Sequence, residues 1–182
     1  WIRCAGFLVG LAVILGICDF CFAPSGYVRF ILHEVNRKDT QYDTIILGAS
    51  HARSAINPEY LDEELGTNTL NLAIPGETVK DAYYLLKDAC ESNDVKTVIM
   101  DVDYQYWMDE QPQGYFTEPF ICQNITNLKV KTEYLLDNWD TIDLRNVLVR
   151  RLSWDCTWSS VKQNVSTKMT EAYREYSIEA AG

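Results

Sequence analysis

The chain has 182 residues, 47% hydrophobic and 12% aromatic, with 16 Lys and Arg against 26 Asp and Glu for a net charge of −10. This length and composition hold one domain with a true core plus an anchor, and exclude a disordered tail. The acidic balance argues against nucleic acid as a partner, because phosphate neutralisation needs a basic face.

The chain opens on an apolar run. Residues 5–18 carry no charge, and residues 1–22, with Arg3 near one end and Asp19 near the other, reach the roughly 20 residues a spanning helix needs. The run is apolar on all sides, unlike a core helix, and no small-x-small cleavage site follows it. Residues 1–23 are therefore expected to be a transmembrane signal anchor, with the bulk of the protein outside the cytoplasm. A polar juxtamembrane connector over 24–41 follows, with helical character at 28–35.

From residue 42 strands and helices alternate. Thr44-Ile45-Ile46-Leu47 reads as a buried strand. Asn57 caps a helix over 58–65, with Pro58 at the favoured first position and Gly66 at the stop. A second strand is predicted over 69–72, then a loop at Ile74-Pro75-Gly76. A helix over 78–92 follows, with Thr78 and Asp81 as a capping box. Its apolar face is predicted from Val79, Ala82, Tyr83, Leu86 and Cys90. A third strand, expected to be central, covers 97–102 and ends in Asp101 and Asp103. Beyond it, 105–120 is aromatic and Pro-containing and reads as a loop. The segments 128–139 and 142–154 look helical, and 161–177 is polar and weakly periodic. The expected fold class is α/β: a partial flavodoxin-like three-layer fold with a parallel sheet, an N-terminal transmembrane helix and a helical C-terminal segment. Residues 42–182 form the domain, of which 105–182 is loop and helix. No fourth or fifth strand is evident, so the chain is expected to be a piece of a longer protein.

The six cysteines show no Cys-x-x-Cys spacing, so neither a zinc site nor any other metal is expected. Asn124-Ile125-Thr126 and Asn164-Val165-Ser166 match the glycosylation triplet.

Chemistry concentrates at Gly48-Ala49-Ser50-His51. A buried strand stopping at Gly-x-Ser lifts a hydroxyl to the carboxyl edge of a sheet, where ligands of open α/β sheets sit. With Asn57-Pro58, with Asn71-Leu72-Ala73-Ile74-Pro75-Gly76 as a second block and with the strand at 98–102, this motif resembles the SGNH (GDSL-like) hydrolase and acyltransferase superfamily. The likeness is to its membrane-anchored cell-envelope members, such as those of lipoteichoic-acid D-alanylation and exopolysaccharide O-acetylation. The resemblance implies that Ser50 is a catalytic nucleophile attacking an ester or acyl carbonyl, with the Ser50 and Gly76 N–H groups as oxyanion donors. It further implies an acylated glycan or polymer substrate, a membrane acyltransferase partner and no cofactor. The family's third-block asparagine is replaced here by Asp101-Val102-Asp103-Tyr104. Its C-terminal Asp-x-x-His is missing, since the sequence contains only His33 and His51. A base from a further segment is therefore expected. His51, Arg53, Asp103 and Tyr104 are candidate substrate-binding residues, and Tyr106, Trp107, Tyr115 and Phe116 are candidates for a groove or for packing. Two other readings stay open: a non-catalytic envelope assembly or glycan-binding protein, and a flavodoxin-like domain whose Ser50 binds an anion. Ser50 as a plain helix N-cap is the blandest reading.

Overall fold

The computed structural model describes residues 1–23, 26–102, 117–142, 145, 147, 154 and 156–169. In chain order these form α1 (Ile2–Phe22), α2 (Tyr27–Glu34), β1 (Thr44–Leu47), α3 (Ser50–Ala55), α4 (Pro58–Leu65), β2 (Thr69–Asn71), α5 (Val79–Ser92), β3 (Thr97–Met100), α6 (Thr117–Asn124), α7 (Leu128–Asp137) and α8 (Trp158–Met169). The aromatic residues at 104, 106, 107, 115 and 116, together with Asp103, lie outside the described residues, as does most of the helix expected at 142–154.

Helix α1 is 21 residues long, about 31 Å at 1.5 Å per residue. Its Arg3–Phe22 stretch is long and apolar enough to cross a membrane. Phe7, Leu8, Val9, Val13, Ile14 and Ile17 are all exposed along it.

The sheet is parallel, in the order β2-β1-β3. Thr44 pairs with Thr69 and Thr97, Ile45 with Leu70 and Val98, and Ile46 with Asn71 and Ile99. Every β1 residue is buried, as an apolar run covered on both faces must be. Alternation sends Ile45, Leu47 and Leu70 into the main core with Ile31 and Leu32 of α2, Leu85 of α5, Ile121 of α6 and Tyr134 of α7. Ile46 points the other way, to Ala52, Ala73, Ile56 and Leu61. Each fully buried Ile or Leu contributes about 1.5–3 kcal/mol over an exposed one, so β1 is the strand on which the domain is built. β3, expected in the centre, is instead at the edge of the described sheet, with Val98 43% and Met100 40% exposed.

Local chemistry sets the helix bounds. The Asn57 side chain accepts the Glu59 N–H at 3.0 Å, Pro58 opens α4, and Gly66 closes it at φ 68°. The Thr78–Asp81 box forms reciprocally at the start of α5. The face of α5 differs from the predicted one. Asp81, Ala82, Tyr84, Leu85, Asp88 and Ala89 are buried, while Val79, Tyr83 and Cys90 are exposed. The helix turns two carboxylates inward, where each is hydrogen-bonded, although the Asp88 Oδ1 is left without a partner among the described residues. Asp81 accepts the Tyr134 hydroxyl at 2.6 Å as well as the Thr78 N–H and hydroxyl, and Asp88 accepts the Asn36 amide at 2.8 Å. Burial raises the pKa of both carboxyls against those hydrogen bonds.

Helix α6 falls partly where a loop is predicted, because Pro119 lies in its first turn, where a missing N–H costs no intrahelical bond. Helix α8 occupies the weakly periodic segment and packs on α1. Both glycosylation triplets have buried asparagines whose amides are engaged, Asn124 to the Phe120 carbonyl and Asn164 to the Cys21 carbonyl. All six cysteines are free thiols.

Candidate functional site

β1 ends at Leu47, and the chain must then turn sharply out of the sheet. Gly48 makes the turn at φ 152°, and a Cβ there would stand 2.7 Å from Ala52 Cβ and 2.9 Å from Asp101 Cβ. Only glycine meets both demands. Ala49 takes the N-cap position of α3 without a side-chain cap, so Ser50 is the first helical residue and not the cap. Ser50 is exposed at the carboxyl edge of the central strand, and its hydroxyl has no hydrogen-bond partner among the described residues.

The second block comes to the same edge. Leu72 N–H donates to the Ile46 carbonyl at 2.9 Å and Ile74 N–H to the Gly48 carbonyl at 3.0 Å, extending the β1–β2 pairing past the strand ends. Pro75 and Gly76 form a tight turn closed by the Glu77 N–H on the Ile74 carbonyl at 2.9 Å, with Gly76 at φ 78°. A proline followed by a residue at positive φ is the type II pattern. Asp101 joins from β3, its N–H donating to the Leu47 carbonyl at 2.9 Å. In a 2-1-3 order the crossovers leave β1 in opposite directions, which opens a crevice at its carboxyl end. Ser50, Gly76 and Asp101 are thus brought to one edge by three different strands.

Three residues not singled out from the sequence as site residues hold this edge together. The buried Glu77 carboxylate takes the Gly48 N–H at 3.2 Å on Oε1 and the Ile74 N–H at 3.0 Å on Oε2, joining the two loops. Asn71 at the end of β2 donates to the Ala52 and Ile56 carbonyls at 3.1 and 3.2 Å and accepts the Ala73 N–H at 3.0 Å. It therefore fixes the far end of α3. Tyr27 donates its hydroxyl to the Asn71 carbonyl at 3.0 Å. Burial raises the Tyr27 phenol well above the ordinary tyrosine range, Arg53 opposes that shift and Glu77 adds to it. Asn71 carried a readable sign, a lone amide inside the run Leu70-Asn71-Leu72-Ala73-Ile74.

Arg53 stands one turn beyond Ser50 on α3. Its guanidinium lies over the Tyr27 ring at 4.2 Å from the centroid, and its Nε is buried without an acceptor. The surface ion pair common for such a residue is not formed among the described residues. His51 is exposed beside Ser50. His33 is on α2, whose C-terminal end lies at the opposite edge of the sheet, where Asn93 bonds both the Val35 carbonyl and the Tyr42 N–H. Asp103 and Tyr104 lie outside the described residues. Among those residues no three His, Cys, Asp or Glu side chains gather as metal ligands.

Comparison with protein-family models, curated proteins and solved structures finds no match to this chain.

Proposed function

We propose that this protein is an extracytoplasmic, membrane-anchored serine esterase or acyltransferase of SGNH type, acting on an acylated cell-envelope glycan or teichoic-acid-like polymer through a flavodoxin-like sheet edge. The observation that carries the reading is the exposed Ser50 on a glycine turn at the carboxyl end of the central strand, stapled by Glu77 to the Gly76 loop. In the reaction the Ser50 Oγ bonds to the acyl carbon and its proton passes to a base. The tetrahedral oxyanion is held by the Ser50 and Gly76 N–H groups, each such donor worth about 3–4 kcal/mol. The bond to the leaving alcohol then breaks as that oxygen takes the proton. Water or an acceptor hydroxyl next attacks the acyl-serine, giving acid or transferred ester and restoring Ser50. A serine needs a base within hydrogen-bond reach; the SGNH resemblance puts it on an Asp-x-x-His that these 182 residues do not contain.

A second reading, a non-catalytic glycan-binding or assembly protein, keeps the same edge and needs no base there. An anion-binding loop is disfavoured, because the Glu77 carboxylate already occupies the Gly48 and Ile74 amides. A fluorophosphonate probe applied to the protein in its native membrane separates these readings. The esterase labels at Ser50, and Ser50→Ala abolishes the label. Equal labelling of both forms, or none in a protein that binds acylated glycan, overturns the enzymatic reading.

A further inference from the structure

We infer that α8 rests on the lipid surface where α1 leaves the membrane, and that it holds the Ser50 edge of the sheet toward the bilayer. The inference relies on α1 being a membrane anchor, as proposed above, and not on Ser50 being reactive.

Three side chains of the α8 region hold the last turn of α1. Trp154 Nε1 donates to Asp19 at 3.0 Å and its ring lies 5.4 Å from that of Phe22. Asn164 donates to the Cys21 carbonyl at 3.3 Å. Lys168 Nζ donates to the Phe20 and Ala23 carbonyls at 2.6 Å each, a cation on the negative end of the helix. Asp19 belongs at head-group depth, so α8 crosses α1 at that depth.

The outward side of α8 suits such a surface. Trp158 is 82% and Met169 75% exposed. Helical spacing places both on one stripe, with Lys162 exposed beside them. The helix carries Lys162 and Lys168 and no acid, within a chain of net charge −10. Tryptophan at the interface and lysine against anionic head groups are what a bilayer surface selects.

The chain then carries the site to the same side. From Ala23 to Tyr27 is four residues, a span of at most about 14 Å. Tyr27 reaches the carboxyl end of β2 through Asn71 and stacks under Arg53, and Ser50 is a helical turn from Arg53, about 5–6 Å between Cβ atoms. Helix α2 runs away from the membrane, ending by Asn93 at the amino edge. The carboxyl edge is the near one.

The test uses the full chain in vesicles of phosphatidylcholine and phosphatidylglycerol, with a fluorophore placed at Ser54 or at Lys96, both exposed and at opposite edges, and head-group nitroxide lipid as quencher. Quenching is expected to be several-fold stronger at 54 than at 96. It is expected to fall at 54 in a W158S/K162E/M169S variant whose circular dichroism is unchanged. Retention in the vesicles after alkaline carbonate with equal quenching at the two positions, or quenching indifferent to the variant, overturns the inference alone. Release by carbonate overturns the anchor reading and the inference together.

Discussion

Replacing Gly48 by alanine tests the packing of the serine turn directly. The new methyl meets Ala52 Cβ at 2.7 Å and Asp101 Cβ at 2.9 Å, neither the end of a flexible chain, while the backbone holds φ 152°. A positive φ costs a non-glycine residue roughly 1–3 kcal/mol, and an extra methyl in a filled site costs about 1–3 kcal/mol more. A total near 4 kcal/mol lowers the melting temperature by roughly 8–16 °C in a domain of this size. Gly66→Ala is the control. Gly66 also has positive φ, 68°, but open space around it, so its cost is about 1 kcal/mol. Thermal unfolding of the full chain in detergent, followed by circular dichroism, reads both. Equal melting of the two variants would refute the close approach of β1, α3 and β3 described for this turn.

Glu77→Ala leaves two buried N–H groups unpaired and should cost about 3 kcal/mol in urea unfolding, with Glu77→Gln in between because its amide oxygen still accepts one of them. A Glu77→Ala protein as stable as the parent would contradict the staple. Asp88→Asn tests the buried carboxyl of α5. Burial raises the Asp88 pKa in the folded state, so its favourable contribution is complete below the unfolded value of about 3.9 and is lost as pH rises through the folded one. The variant should therefore gain stability relative to the parent as pH rises above the unfolded value of about 3.9; a gap independent of pH would count against it. Among the cysteines, burial pushes the Cys122 thiol up to about 11 while Cys156 is exposed. Maleimide at neutral pH should modify Cys156 within minutes and Cys122 only after unfolding, read by mass spectrometry of peptides.

The sequence disclosed what local chemistry decides. α4 keeps its predicted bounds because Asn57, Pro58 and Gly66 act within one turn of each end. The Thr78–Asp81 box is equally local. Ser50 and Gly76 fall on one edge because parallel crossovers return each loop to the same side. What stayed hidden depends on partners far along the chain. The inward face of α5 is chosen by Tyr134 and Asn36, 53 and 52 residues away from their carboxylates. Glu77 reads as a solvated acid before a helix until the Gly48 amide, 29 residues back, is found against it. α8 has little periodicity of its own, and its order comes from the end of α1, more than 130 residues earlier.

The shared Glu77 carboxylate has a mechanical consequence. Two stretches that could otherwise vary separately are yoked by one acid, so a shift in either is felt by the other. Substitutions in the Pro75–Gly76 turn should thus register at the hydroxyl of Ser50, and repairs at one place should compensate damage at the other.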